Sequence, residues 1–374
     1  MMEKQTNTPK LRFPEFKGEW EKKKLGELCK MQAGKFINAS EIFENIDDKF
    51  YPCFGGNGIR GYAKVYNHEG KYSLIGRQGA LCGNINLANG KFYATEHAVV
   101  VNLFKGLDTD FMYYVLNNLN LNKYSTGLAQ PGLSIQNLEK VEDYIFPTLP
   151  EQTRIASFFT SIDKKIAEFK QKKTLLEQYK KGIMQKLFSQ ELRFKDENGK
   201  DFPEWEKKKL GNISEIKTGN KDTQNREKDG LYPFFVRSDT VERINSYSYD
   251  GEAILTSGDG VGVGKNYHYI KGKFDFHQRV YSIRNFGQNV SGKFIFYYFS
   301  TYFNDRVKRV SAKNSVDSVR LEMISEMPIS VPSFEEQTKI ANFLSAIDEK
   351  INHTENQIQK TQEWKKGLLQ RMFC

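Results

Sequence analysis

Hydrophobic residues recur every seven positions along residues 151–188. The members of this series are Ile155, Ile162, Phe169, Leu176 and Ile183, and the residues that follow members of it by four positions are Phe159, Ile166 and Leu187. A narrow apolar stripe with a seven-residue period is typical of a coiled-coil helix. The stretch therefore predicts one helix, roughly 57 Å long at a rise of about 1.5 Å per residue.

The same pattern returns without a gap at residues 336–373. The apolar residues of this second copy are Ile340, Leu344, Ile347, Ile351, Ile358, Leu368 and Met372. Thr148 and Ser333 stand three residues before Glu151 and Glu336, which is the spacing of a helix capping box. Because one chain carries two matched helices of this kind, we expect them to pack on each other.

The rest of the chain is also repeated. The octapeptide EWEKKKLG occupies residues 19–26 and again residues 204–211, and each copy is followed by a variable body and then by a long helix. Residues 95–103 and 279–283 have the β-branched composition of strands. The two bodies match in islands, such as Tyr51 with Tyr232, and differ in the loops between them. We expect one fold used twice, with different loops.

Composition narrows the class of protein. The net charge of +10 over 374 residues favours a polyanionic partner. The sequence lacks an apolar run of 18 residues and an apolar signal segment, so no membrane association is expected. The four cysteines, Cys29, Cys53, Cys82 and Cys374, form no CxxC pair, which favours reduced thiols in a cytoplasmic protein.

Motifs for catalysis are weak. The GxGxxG match at residues 56–61 lacks the strand before it and the helix after it that a dinucleotide site needs. The segment DGVGVGKN at residues 259–266 has Asp259 where a phosphate loop has its first glycine. The five histidines show no metal-ligand spacing. We therefore expect no catalytic residue, cofactor site or metal site in this chain.

The order of these segments resembles that of a known family, the specificity (S) subunits of type I restriction-modification systems. The motif PxxxEQxxIAxFxxxID, with a KKGxxQ end, lies at residues 147–163 with 180–185 and at residues 332–348 with 365–370. The resemblance extends over essentially the whole chain.

The resemblance implies an α+β protein with two tandem mixed α/β target recognition domains. They would be separated by two long helices packed as an antiparallel coiled coil with pseudo-two-fold symmetry. The implied boundaries are residues 1–146 and 204–331 for the recognition domains, 147–190 and 332–374 for the helices, and 191–203 for the connector. Each domain would read one half of a bipartite double-stranded DNA site.

The resemblance also implies partners. Two methyltransferase (modification) subunits and two restriction/translocase subunits would assemble with this chain. Those subunits would bind S-adenosylmethionine, ATP and magnesium and would carry out adenine methylation and DNA cleavage. This chain would not be catalytic alone.

Comparison of the two bodies nominates residues that contact DNA. Polar loop positions at which the bodies differ are expected to read different bases, with Arg and Lys suited to guanine and Asn and Gln to adenine. Those in the first body are Asn57, Arg60, Lys64, Arg77, Gln78 and Gln130. Those in the second body are Arg237, Ser238, Asp239, Lys265, Asn266, Gln278, Arg279, Lys313 and Asn314.

Three other interpretations stay open at this level. The chain could serve a related restriction system whose catalytic chain fuses both activities. It could be a coiled-coil scaffold whose basic bodies bind RNA or protein. It could also be an enzyme whose site escapes motif analysis.

Overall fold

The computed structural model describes residues 8–44, 49–79, 81–127, 131–260, 262–310 and 318–373, with the main chain alone at 142–146. The chain divides into two compact units. One unit combines the chain up to Gln171 with the chain from Glu355 onward, and the other is Lys172–Thr354. Each unit contains one body and a part of both long helices, as the repeat predicts.

The first repeat contains eight strands and four α-helices among its described residues. They are β1 (Glu21–Lys24), α1 (Leu25–Leu28), β2 (Cys29–Ala33), β3 (Tyr51–Gly55), β4 (Gly58–Ala63), β5 (His68–Gly76), β6 (Ile85–Ala94), β7 (Ala98–Leu103), α2 (Thr109–Asn118), α3 (Ile135–Glu139), β8 (Glu142–Phe146) and the long helix α4 (Leu149–Phe188). A six-stranded sheet has the order β2-β7-β5-β6-β3-β4, and β1 pairs with β8.

The second repeat follows the same order of elements. They are β9 (Glu206–Lys209), α5 (Leu210–Ile213), β10 (Glu215–Thr218), β11 (Tyr232–Phe235), β12 (Val241–Ile244), β13 (Tyr249–Ser257), β14 (Tyr267–Phe276), β15 (Val280–Arg284), α6 (Gly292–Val310), α7 (Leu321–Ser325), β16 (Pro328–Val331) and the long helix α8 (Phe334–Met372). Its sheet has the equivalent order β10-β15-β13-β14-β11-β12, and β16 pairs with β9. The prediction of one fold used twice is confirmed.

The sequence segments that match between the two bodies occupy equivalent strands. Cys53 and Phe54 of β3 pair in parallel with β6, and Phe234 and Phe235 of β11 pair in parallel with β14 in the same way. The strands predicted at residues 95–103 and 279–283 are β7 and β15. In both sheets the other strand pairs are antiparallel, so each body is a mixed sheet.

The apolar stripe of each long helix has two partners. Ile155, Phe159 and Ile162 are buried in the core of the first body, and the end of α8, at Met372, joins that core. In the other unit, Ile340 and Leu344 of α8 are buried with Leu187 at the end of α4. Phe169 and Leu176, farther along the first stripe, are only partly buried. The stripe therefore binds the body as well as the other helix.

In each unit the two helices run in opposite directions. In the second unit, the end of α4 at Leu187 is buried with the start of α8 at Ile340. In the first unit, Phe159 of α4 lies 6.0 Å from Phe373, directly after α8, measured between ring centroids. Asp163, further along α4, contacts Lys365 of α8 at 2.5 Å. The antiparallel packing predicted for the helices is confirmed.

The helix starts are built differently from the predicted capping box. Ser333 Oγ accepts a hydrogen bond from Glu336 N at 3.4 Å, as an N-cap does. The carboxylates, however, bind arginines: Glu336 accepts from Arg193 Nε and Nη2 at 3.1 and 2.9 Å, and Glu151 accepts from Arg12 Nε and Nη2 at 2.7 and 2.8 Å. Both glutamates are almost fully buried, so each needs the charged partner.

Candidate nucleic-acid interface

Four loops of the first body meet in one place, which we name the first loop cluster: residues 56–57, 77–84, 95–97 and 131–133, of which residue 80 lies outside the described part. Arg77 is at its centre, because its N donates to His97 O and its O accepts from Leu133 N, both at 2.9 Å. A Cβ on Gly76 would lie 2.0 Å from Gly56 O, so glycine is required there for the loops to approach.

Three nominated polar side chains of the first loop cluster are exposed or partly exposed. Asn57 is exposed in the turn between β3 and β4, and its Oδ1 accepts a hydrogen bond from Asn84 Nδ2 at 2.9 Å. Gln78 is exposed next to Arg77 and forms an isolated bridge with Gly132. The structure therefore brings Asn57 together with Arg77 and Gln78, which belong to a different loop.

The other nominated residues of the first body have different positions. Arg60 is exposed on β4 and its side chain lies over Gly55, next to the turn. Lys64 follows the last residue of β4, at the open end of the hairpin where Tyr51 pairs with Ala63, and its Nζ stacks over the Phe43 ring at 5.2 Å. Lys64 is thus separated from the cluster. Gln130 lies outside the described residues.

The second body has an equivalent second loop cluster, which we define as residues 236–240, 257–266, 277–279 and 318–319, of which residue 261 is outside the described part. Gly258 N donates to Arg279 O at 2.8 Å, and Val319 N donates to Gly258 O at 2.7 Å. Arg237 O accepts from Asn266 Nδ2 at 3.1 Å. Hydrogen bonds thus connect all four loops.

Charged side chains concentrate in the second loop cluster. Asp259 Oδ1 lies 3.2 Å from Arg237 Nη1, and its Oδ2 lies 3.7 Å from Arg279 Nε. Gln278 Nε2 donates to Asp222 Oδ2 at 3.2 Å. The structure therefore gathers two of the nominated arginines around a carboxylate that was not nominated.

The remaining nominated residues of the second body divide into two groups. Ser238 and Asp239 are exposed in the turn beside Arg237, within the second loop cluster. Lys265 is exposed on the same cluster but lines a cavity of about 810 Å³ with Lys180 and Lys181 of α4, so it faces the helix rather than the arginines. Lys313 and Asn314 lie outside the described residues.

His277 supports the second loop cluster from beneath. It is 3% exposed, and its Nδ1 accepts a hydrogen bond from Arg279 N at 2.9 Å. Burial lowers the pKa of His277 below its usual range, and the positive charge of Arg237 acts in the same direction. A neutral ring is the form that can accept this bond. His277 therefore holds the main chain of this loop in place at Arg279.

Sequence comparison missed Asp259, Asp222 and Asn84. Their carboxylate and amide groups bind the nominated side chains directly. The same comparison nominated Asp239, so negative charge did not by itself exclude Asp259 and Asp222. The available signal was the position of Asp259 in a glycine-rich loop between shared islands.

Three features bear on whether the described residues could hold a metal ion or a cofactor. Among the described residues, no group of three His, Cys, Asp or Glu side chains is placed to hold a metal ion. Residues 56–61, the GxGxxG match, form the turn and first part of the β3–β4 hairpin rather than a strand-to-helix loop. Cys29, Cys53 and Cys82 are buried free thiols, and burial raises the pKa of Cys29 to about 12. Cys374 lies outside the described residues.

The tandem fold and its two loop clusters define a class of protein. The model of the family described as the type I restriction modification DNA specificity domain matches residues 17–178 and again residues 203–362. The two matches together include most of the chain, once per repeat. The chain belongs to this family.

Individual relatives agree with that assignment. The EcoprrI type I restriction enzyme specificity subunit of Escherichia coli is 46% identical over 154 residues, which are 41% of this chain and 38% of that protein. The chain thus matches well under half of the length of that relative. The MjaVIII specificity subunit of Methanocaldococcus jannaschii is 24% identical over 96% of this chain and 92% of its own length.

Solved structures share the fold. The crystal structure of the S subunit of a type I restriction-modification system from M. genitalium superposes with a TM-score of 0.72 at 19% identity. The superposition includes 98% of this chain and 99% of that chain. At this identity the likeness establishes the tandem architecture alone.

Within the parts of the chain that the structure describes, no helix is both long and apolar enough to span a membrane.

Proposed function

We propose that this chain is the DNA sequence-recognition subunit of a type I restriction-modification complex. Each body would read one half of a bipartite duplex site through its loop cluster. The proposal is carried by one observation: two bodies of the same fold, in one family chain, present loop clusters of different polar composition. Shared strands with different loops are what two half-sites of different sequence require.

The net charge of the chain supports DNA as the ligand. Phosphates dominate the affinity of DNA-binding proteins, and the chain carries a net charge of +10. Base identity is read by polar side chains that reach base edges, and the loop side chains of Arg77, Gln78, Arg237 and Arg279 would serve this role. The domain boundaries given in the sequence analysis remain part of the proposal, with residues 1–146 and 204–331 as recognition domains.

Methylation and cleavage are assigned to partner subunits in this proposal. Two modification subunits and two restriction/translocase subunits would bind S-adenosylmethionine, ATP and magnesium. The length of the long helices would set the unread spacer between the half-sites. The complex would act in the cytoplasm, where the host DNA is.

The test is co-expression with a cognate modification subunit, followed by mapping of methylated bases across the host genome. The expected result is a split motif of two short defined halves around a fixed spacer, present only when this chain is expressed. Methylation that is unchanged when the chain is omitted would contradict the proposal and favour an RNA-binding or protein-binding scaffold.

A further inference from the structure

Asp259 holds two exposed arginines from two different loops. The side chains of Arg237 and Arg279 are 48% and 66% exposed, yet both contact the same carboxylate, at 3.2 and 3.7 Å. Asp259 itself is only 24% exposed. The three side chains thus form one acid–base group at the surface, which we name the Arg237–Asp259–Arg279 triad.

The backbone beneath each member of the triad is anchored. Arg237 O accepts hydrogen bonds from Ser257 Oγ at 3.0 Å and from Asn266 Nδ2 at 3.1 Å. Arg279 N donates to the buried His277, as described above. Asp259 forms an isolated bridge with Ser318. Anchored loops of this kind hold side chains in a narrow range of positions, which a base-reading contact requires.

A carboxylate at this position has a cost in a DNA-binding surface. It faces a polyanion and offsets part of the attraction that each arginine supplies. The cost is offset if the carboxylate orients the guanidinium planes, because Arg binds a planar acceptor pair only when its fork is aligned. The closest contacts to Asp259 use Nη1 of Arg237 and Nε of Arg279, and a guanidinium carries five donors in all.

The first body lacks the triad. Strand register aligns Phe54 with Phe235, and the shared glycines align Gly79 with Gly260. By that alignment Gly56 stands where the second body has Arg237, and Gln78 stands where it has Asp259. The triad is therefore specific to the second body and belongs to what distinguishes the two bodies.

We propose that the Arg237–Asp259–Arg279 triad binds a guanine of the half-site that the second body reads, with Asp259 as the positioning residue. Arg pairs with the O6 and N7 acceptors of guanine in the major groove. This inference rests on the proposed function, and it adds the ligand of the second loop cluster. It requires that the half-site read by the second body contain a guanine.

The experiment uses the full chain in complex with its modification subunit and three duplexes. These are the methylated motif determined by genome mapping, the same motif with the guanine of its second half replaced, and a random sequence. Equilibrium binding at fixed salt is measured for wild type, Asp259→Asn, Arg279→Lys and Glu206→Gln. Glu206→Gln is the matched control, because it removes one negative charge and a surface contact, 2.9 Å from Lys208, on a strand outside the six-stranded sheet.

Two changes in opposite directions are expected for Asp259→Asn, one in affinity for the random duplex and one in preference for the motif. Affinity for the random duplex rises, because one repulsive charge is lost. Preference for the motif over the guanine-replaced duplex falls at least about ten-fold, because the arginines lose their orientation. Arg279→Lys, which keeps the charge without the planar fork, loses the same preference, and Glu206→Gln keeps it.

Two results would overturn the inference while leaving the proposed function intact. One is a wild-type motif whose second half contains no guanine. The other is an Asp259→Asn complex that prefers the motif over the guanine-replaced duplex as strongly as the wild-type complex does. A wild-type complex without preference for any bipartite duplex would overturn the proposed function and this inference with it. Equal melting temperatures of variant and wild type ensure that the comparison concerns binding rather than folding.

Discussion

Lys365 Nζ of α8 lies 2.5 Å from Asp163 Oδ1 of α4. Asp163 also accepts a hydrogen bond from Tyr114 Oη of α2 at 2.8 Å, and Lys365 Nζ lies 5.1 Å from the centre of the Tyr114 ring. One residue from the body and one from each long helix therefore meet at this point.

The same group occurs in the other unit with the roles of the helices exchanged. Lys180 of α4 lies 2.5 Å from Asp348 of α8, and Tyr297 donates to Asp348 at 2.7 Å. The family motif thus has a physical explanation: the aspartate of its ID end in one helix pairs with a lysine of the KKG end in the other. Both groups fix a body against the helix pair.

Removing this contact should reveal coupling between the two helices. A double-mutant cycle of Asp163→Asn and Lys365→Met should give a coupling free energy of about 1 kcal/mol, which is the upper range for a partly exposed ion pair. Urea unfolding measures it. Lys165, whose contact with Glu168 lies within one exposed helix face, provides the control pair and should give less. A coupling of zero for Asp163 and Lys365 would show that the contact only accompanies the packing.

Gln152 and Gln337 should be required for stability. Gln152 is buried, donates to Pro147 O at 2.9 Å and accepts from Asp108 N at 3.0 Å. Gln337 does the same for Pro332 O and Ser291 N. Each glutamine therefore satisfies one backbone acceptor before the helix and one backbone donor before a body helix.

Gln152→Leu should lower the free energy of unfolding by about 2–4 kcal/mol, because two buried backbone groups lose their partner. Urea unfolding of the full chain measures the change. Gln171→Leu on the exposed face of the same helix is the control and should change stability by less than about 0.5 kcal/mol. Equal effects of the two substitutions would show that the hydrogen bonds of Gln152 to the backbone do not stabilise the protein.

How far the sequence predicts this structure depends on the range of the interaction. The seven-residue stripe and the repeat define both helices and the tandem order, because those signals come from neighbouring residues and from a second copy. The role of Glu151 could not be inferred, since its partner Arg12 lies far away in the sequence. Local spacing suggested a capping box, but burial made an arginine the better partner.

The loop clusters show the same limit. Comparison of the bodies nominated Arg77 and Arg237 because their loops differ, and the structure places both in clusters. Lys64 was nominated by the same reasoning, yet it lies at the far end of a hairpin. A difference between two copies identifies a variable position, whereas only the fold determines which variable positions face a common ligand. Asp259 was missed because its contribution depends on two arginines from other loops.

Arg77 should contribute to base recognition by the first body. Its main chain is fixed by His97 and Leu133, and its side chain is partly exposed. Arg77→Ala should weaken binding to the methylated motif by about 1–3 kcal/mol and leave binding to random duplex nearly unchanged. Lys105→Ala, on the exposed turn at the other end of β7, should not weaken binding to the motif more than binding to random duplex. Equal weakening on both duplexes would mean that Arg77 contacts only phosphate.

His277 should make the second unit sensitive to acid. Burial lowers the pKa of its ring, and Arg237 and Arg279 add to that effect, while Asp222 and Asp259 oppose it. The folded protein therefore resists protonation of this ring. The unfolded chain takes up the proton near pH 6.5, so it binds more protons than the folded chain below that value. Stability from the neutral ring is present above pH 6.5 and is lost as the pH falls toward the lowered pKa.

His277→Asn tests this because an asparagine oxygen can take the place of Nδ1 as acceptor for Arg279 N without titrating. Melting temperature is measured between pH 7.5 and pH 5.5. The fall across that range should be smaller in the variant than in wild type. His268, whose pKa burial also lowers, remains in both proteins and contributes equally to both. An identical fall in the two proteins would mean that the His277 ring takes up its proton at the same pH in the folded and unfolded chain.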